Sequence, residues 1–94
     1  MDHNTRILFT DLDLDSFPDD VLEVLLRVAA KHQTSITKLL GHRRDKVSAR
    51  ARQEAYSEIY KLGGYSTTAI GKIFNRDHST IVYGIKRHRQ KCGL

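Results

Sequence analysis

The chain has 94 residues, 39% of them hydrophobic, with one Pro, six Gly and a formal charge of +5. That length suits one domain and excludes an ATPase or dinucleotide-binding core of ordinary size, and the composition excludes collagen-like and low-complexity chains. The charge is unevenly spread: residues 1–23 hold seven acids against one base (−6), and residues 24–94 hold fifteen bases against four acids (+11), the electrostatic footprint of a nucleic-acid binder behind an acidic head.

In chain order, Leu12 and Leu14 alternate with acids in a period of two. Residues 1–15 read as an acidic tail, which either covers the chain's own core or is offered to a protein partner. The domain proper is expected over 16–94. Ser16 is expected to cap the first helix, with Asp19 three residues on and Pro18 tolerated in the first turn. Val21, Leu22, Leu25, Leu26, Val28 and Ala29 recur at helical spacing. Asp19, Asp20 and Glu23 at its start and Lys31 and His32 at its end suit the helix macrodipole.

Thr34 or Ser35 caps a short second helix carrying Ile36, Leu39 and Leu40, with Gly41 as its stop at the position past the cap. A basic loop follows, His42-Arg43-Arg44-Asp45-Lys46. Ser48 is expected to cap a third helix running to about Leu62, with Ala51, Ala55, Ile59 and Leu62 inward, and Gly63-Gly64 ends it. Ser66 caps a fourth helix, Thr67 to Phe74. After a turn at Asn75-Arg76, a fifth helix starts at Asp77 or His78 and reaches about Lys91, burying Ile81, Val82 and Ile85. The fold class is all-α, a compact bundle of about five helices.

The stretch from Ser66 to Arg87 has helix–turn–helix grammar. Gly71 follows Ile70 where two helices must approach closely, Phe74 closes the first helix over the core, and Ile81 and Ile85 anchor the second. The first turn of that second helix is short and polar, as a helix entering a major groove about 12 Å wide requires. Ser79 and Thr80 can exchange hydrogen bonds with bases or phosphate, and Asp77 and His78 project from the helix start. Lys72, Arg76, Lys86 and Arg87 flank this surface and suit phosphate contact. Gly84 inside the last helix points to close packing there.

Leu39-Leu40, Arg43-Arg44, Ala49-Arg50, Arg52-Gln53, Ile70-Gly71, Phe74 and the block Arg76-Asp77-His78-Ser79-Thr80-Ile81 together resemble the C-terminal DNA-binding domain (domain IV) of the bacterial replication initiator DnaA. The resemblance covers about residues 18–91. It implies a Trp-repressor-type helical bundle that binds a short asymmetric duplex box. It also implies that Asp77, His78, Ser79 and Thr80 read bases in the major groove and that Arg44 enters the adjacent minor groove, while Arg43, Lys46, Arg52 and Gln53 contact phosphate or support the loop. The sequence departs from the family pattern at three places. Asn75 stands alone where two glycines are common, Ala51 stands where Pro is common, and His88 stands where an apolar residue is common.

No chemistry competes with this reading. Gly64 and Gly71-Lys72 are too far apart for a phosphate-binding loop, and Ile73 stands where Ser or Thr is needed. The five His are dispersed, so no metal site, cofactor or catalytic residue is expected, and the chain does not read as an enzyme. Cys92 is the single cysteine, a free thiol in a reducing cytosol. With no apolar run near the ~18 residues of a membrane span and no secretory signal, the expected setting is the bacterial cytoplasm, at the nucleoid, away from membranes. The expected function is sequence-specific binding of double-stranded DNA, foremost as a transcription factor, including an activator of phage-like genes. The alternatives are a replication regulator that competes for origin boxes and a protein-interaction module that has lost DNA binding. A protein partner would meet the acidic N-terminal segment.

Overall fold

The computed structural model describes residues 17–41 and 44–91. The expectations for the tail at 1–15, for Ser16, His42 and Arg43, and for Cys92 therefore lie outside the described residues. Five helices are described: α1 (Asp19–Lys31), α2 (Ile36–Leu40), α3 (Lys46–Lys61), α4 (Thr67–Phe74) and α5 (His78–Lys91).

The N-cap of α1 is Pro18, two residues past the expected Ser16, and it offers no side-chain acceptor. The Pro18 carbonyl takes the Leu22 amide at 2.9 Å instead. Asp20 Oδ1 accepts from the Val21 amide at 2.8 Å and from the Tyr65 hydroxyl at 2.9 Å, which ties α1 to the loop before α4. Val21, Val24, Leu25, Val28 and Ala29 form the buried stripe. Leu26, expected in it, is exposed. The helix stops at Gln33, which takes a left-handed φ of 55°, while the Thr34 amide reaches back to the Ala29 carbonyl at 2.8 Å.

Ser35 caps α2, its hydroxyl accepting from the Lys38 amide at 3.2 Å. Gly41 ends that helix, but as its C-cap with φ −81°, in extended rather than left-handed backbone. Glycine suits the site because a Cβ there would lie 3.2 Å from the Thr37 carbonyl oxygen.

The cap of α3 is Asp45, not Ser48. Its Oδ2 accepts from the Ser48 amide at 3.1 Å, and the Ser48 side chain is buried in the first turn. A carboxylate is the better partner for the positive end of the helix. Ala51, Ala55 and Ile59 face inward as expected, whereas Leu62, past the helix, is exposed. Gly63 ends the segment at φ +91°. α3 is the hub of the fold and packs on α1, α2, α4 and α5. It therefore buries Tyr56 and Ser57 as well as its alanines.

Ser66 caps α4, accepting from the Ala69 amide at 3.1 Å. Asn75 then turns the chain at φ 54°, ψ 50°. Asn tolerates this left-handed state because its short amide bonds locally, so a single Asn makes the turn for which the resemblance implied two glycines. Gly71 is obligatory, since a Cβ there would sit 2.5 Å from the Arg76 carbonyl oxygen. The close approach is to the backbone of the turn rather than to a facing helix. Phe74 is fully buried and meets the Tyr56 ring edge-on at 4.8 Å and 88°. On α5, Ile81, Gly84 and Ile85 are buried and Val82 is half-buried. The close packing expected at Gly84 is against Tyr56, whose ring would lie 2.6 Å from an added Cβ.

Candidate nucleic-acid interface

The α4–turn–α5 unit leaves the first turn of α5 facing solvent. Asp77, His78, Ser79 and Thr80 are all exposed. They are not equivalent. Asp77 Oδ2 accepts from the Ser79 amide at 3.1 Å and, at closer range, from the Ser79 hydroxyl. These two bonds hold the Asp77 carboxyl below its usual value. Asp77 thus serves as the local cap of α5, and its bond uses the one proton the Ser79 hydroxyl can donate. Thr80 donates its amide to the Asp77 carbonyl at 3.1 Å, and among the described residues its hydroxyl has no partner. His78 Nδ1 lies 3.9 Å from Asp77 Oδ1, with the ring open to solvent.

Behind this turn runs a cleft between α3 and α5, lined by Ala49, Arg52, Gln53, Tyr56, Arg76, Thr80, Tyr83 and Gly84. Beside it lies a basic groove formed by Lys46, Ala49, Arg50, Gln53, Arg87 and Lys91. The fold therefore gathers Lys46 and Arg87 on one side and Arg52, Arg76 and Thr80 on the other, with Gln53 lining both. Arg44 is exposed just before the Asp45 cap of α3, while Lys72 and Lys86 are exposed and line neither depression.

Two of the arginines expected at phosphate are placed differently. Arg52 is only 7% exposed. Burial, reinforced by the nearby Arg76, pushes its pKa down, against the pull of Tyr56 and Asp45. The Tyr56 phenol is itself raised, because its burial outweighs the two neighbouring cations. Arg76 is half-buried, with Nη1 donating to the Phe74 carbonyl at 2.9 Å and Nη2 donating to the Gly41 carbonyl. Both side chains form the floor of the cleft rather than its rim.

Sequence reasoning missed three residues. Arg50 and Lys91 line the basic groove, and Tyr83 stands 60% exposed one turn beyond Thr80. Arg50 was findable, four residues beyond Lys46 and so on the same helix ridge. Tyr83 lies three residues past Thr80 on α5, and the same spacing rule reaches it.

The family described as the bacterial dnaA protein helix-turn-helix matches residues 21–87. The chain belongs to that family. The helix–turn–helix of that description corresponds to the α4–turn–α5 unit. The chain is similar to the chromosomal replication initiator protein DnaA of Deinococcus radiodurans, with 31% identity over 74 residues, 79% of this chain and 16% of that protein. The chain thus spans about a sixth of that relative's length. No solved structure matches. Among the described residues of this DnaA-type domain no helix is long and apolar enough to cross a membrane, and no three His, Cys, Asp or Glu side chains gather to hold a metal ion.

Proposed function

We propose that this chain is a sequence-specific duplex DNA-binding regulator acting at promoters as a transcription factor, activation of phage-like genes included. The observation that carries the reading is the exposed polar first turn of α5 set beside a groove with four basic side chains, Lys46, Arg50, Arg87 and Lys91. His78 and Thr80 are the base readers, because their polar atoms are not used up by the local cap. Asp77 and Ser79 set the shape of that turn and present oxygen acceptors. Arg44 enters the adjacent minor groove, where a narrow, electronegative channel favours arginine. Lys46, Gln53 and Arg87 take phosphate, with Arg43, Lys72 and Lys86 at the flanks, and Arg52 supports them from below.

A second reading, competition for origin boxes, is favoured by the relative's being a replication initiator. Genome-wide occupancy separates the two: peaks at promoters support transcription, and a dominant peak at the origin supports replication control. DNA reading itself is tested with folded Arg44→Ala and His78→Ala proteins against a duplex selected from a random library. Each is expected to lose about 1–3 kcal/mol of sequence discrimination. Wild-type affinity in both would sink the assignment, and flat, negligible binding at every salt concentration would favour a protein-interaction module.

A further inference from the structure

We propose that Arg76 is a positioning residue that, through Gly41, sets Arg44 in register with the start of α5. The proposal rests on the DNA-reading function above.

The backbone of Arg76 is pinned to α4. Its amide donates to the Gly71 carbonyl at 2.8 Å, and its own carbonyl oxygen occupies the space where a side chain at position 71 would begin. Its guanidinium spans two carbonyls, those of Phe74 and Gly41, the second of them 35 residues away in sequence. Gly41 is the C-cap of α2 and the last residue before the basic loop. The other end of that loop is fixed by Asp45, which caps α3. In sequence, Arg44 therefore lies between two fixed points: Asp45, which caps α3, and Gly41, whose carbonyl is held by the residue immediately before Asp77 and His78.

Arginine is suited to this task, since its planar fork reaches two acceptors at once, whereas a lysine ammonium is a single point charge. The like-charged Arg52 close by opposes placing a cation here. The two charge-assisted bonds to carbonyls supply the compensation. A residue serving only as a surface phosphate contact has no need of a half-buried position or of these two carbonyls.

The test uses the full chain, a duplex it selects from a random-sequence library, and a cycle of Arg44→Ala, Arg76→Lys and the double variant. Arg76→Lys is expected to weaken that duplex about tenfold, and by less than about twofold once Arg44 is already Ala, the non-additivity of coupled neighbours. Equal losses in both backgrounds overturn the proposal. So does a loss shared by a random duplex with a salt slope reduced by about one, the signature of a phosphate contact. A second readout needs no DNA. Backbone 15N relaxation should show greater motion at Gly41 and Arg44 in Arg76→Lys, with α3 unchanged. Unaltered relaxation there overturns the proposal even if no duplex is ever enriched, an outcome that by itself would remove the DNA-reading function. Should the Lys variant fail to fold, Arg76→Gln, which keeps an amide donor, carries the same comparisons.

Discussion

Ser57 and Gly71 show how single positions in this fold are constrained from opposite directions. The Ser57 hydroxyl is buried with no hydrogen-bond partner among the described residues. An unsatisfied buried hydroxyl costs about 1–3 kcal/mol. Ser57→Ala is therefore expected to raise the melting temperature, by about 4–8 °C for each kcal/mol recovered in a domain of this size. Gly71→Ala should do the reverse. Its new methyl must displace the turn backbone, at a cost of about 1–3 kcal/mol, and thermal unfolding reads both changes. The sequence showed that glycine was needed at 71, because small residues mark close approaches. It showed nothing wrong at 57, because an inward serine looks like any polar position in a helix until its neighbours are known. The same limit applies to Arg52 and Arg76. Nothing local separates a surface arginine from one whose fork is used by distant carbonyls, and the partner of Arg76 lies at Gly41.

At the level of elements, the charged ridge of α3 changes sign along its length. Lys46 and Arg50 line the groove against α5, while Glu54 and Glu58, four and eight residues further on, reach α1. Steps of four overshoot a 3.6-residue turn, so the ridge winds slowly round the axis. Glu54 accepts from Lys31 Nζ and meets His32 Nε2, each at 2.9 Å. Burial alone would raise the Glu54 carboxyl, but the bonds to His32 and Lys31 outweigh it and hold the pKa below the usual value of 4.5. A depressed folded-state pKa stabilises the fold above the unfolded value and loses that contribution as pH falls through the folded one. Stability should therefore drop below about pH 4.5 in the wild type, and Glu54→Gln should flatten that part of a stability–pH curve. At the N-terminal end of that ridge, Arg50→Gln should weaken duplex binding almost evenly across sequences and lower the salt slope by about one. Helix order and bounds were legible because caps and periodicity are local, as Ser35, Ser66 and Gly63 show. Asp45 displaced Ser48 as a cap because two acceptors stood within one turn and the carboxylate is the stronger partner for the helix's positive end.

For the whole molecule, the net charge of +5 matters less than its arrangement. Residues 1–15 hold four acids and one base (−3), so a chain lacking them carries +8. Such a chain is expected to keep its melting temperature and to bind duplex DNA more tightly at low salt. The gain should vanish near 1 M, where charges are screened within about 3 Å. A large loss of stability would instead mean that the apolar residues of the tail belong to the core. The division between an acidic head and a basic body was plain in the sequence, since charge needs no fold to be counted. Which bases share a groove was not, because Lys46 and Lys91 meet only when α3 and α5 pack. The chain contains no Trp and four Tyr. Tyr83 is 60% exposed on α5, the helix proposed to face DNA, while Tyr56 is buried beneath it. The protein therefore carries its own optical reporter: a duplex seated on α5 should quench ultraviolet emission from Tyr83 without any attached dye, and Tyr83→Phe should remove that signal.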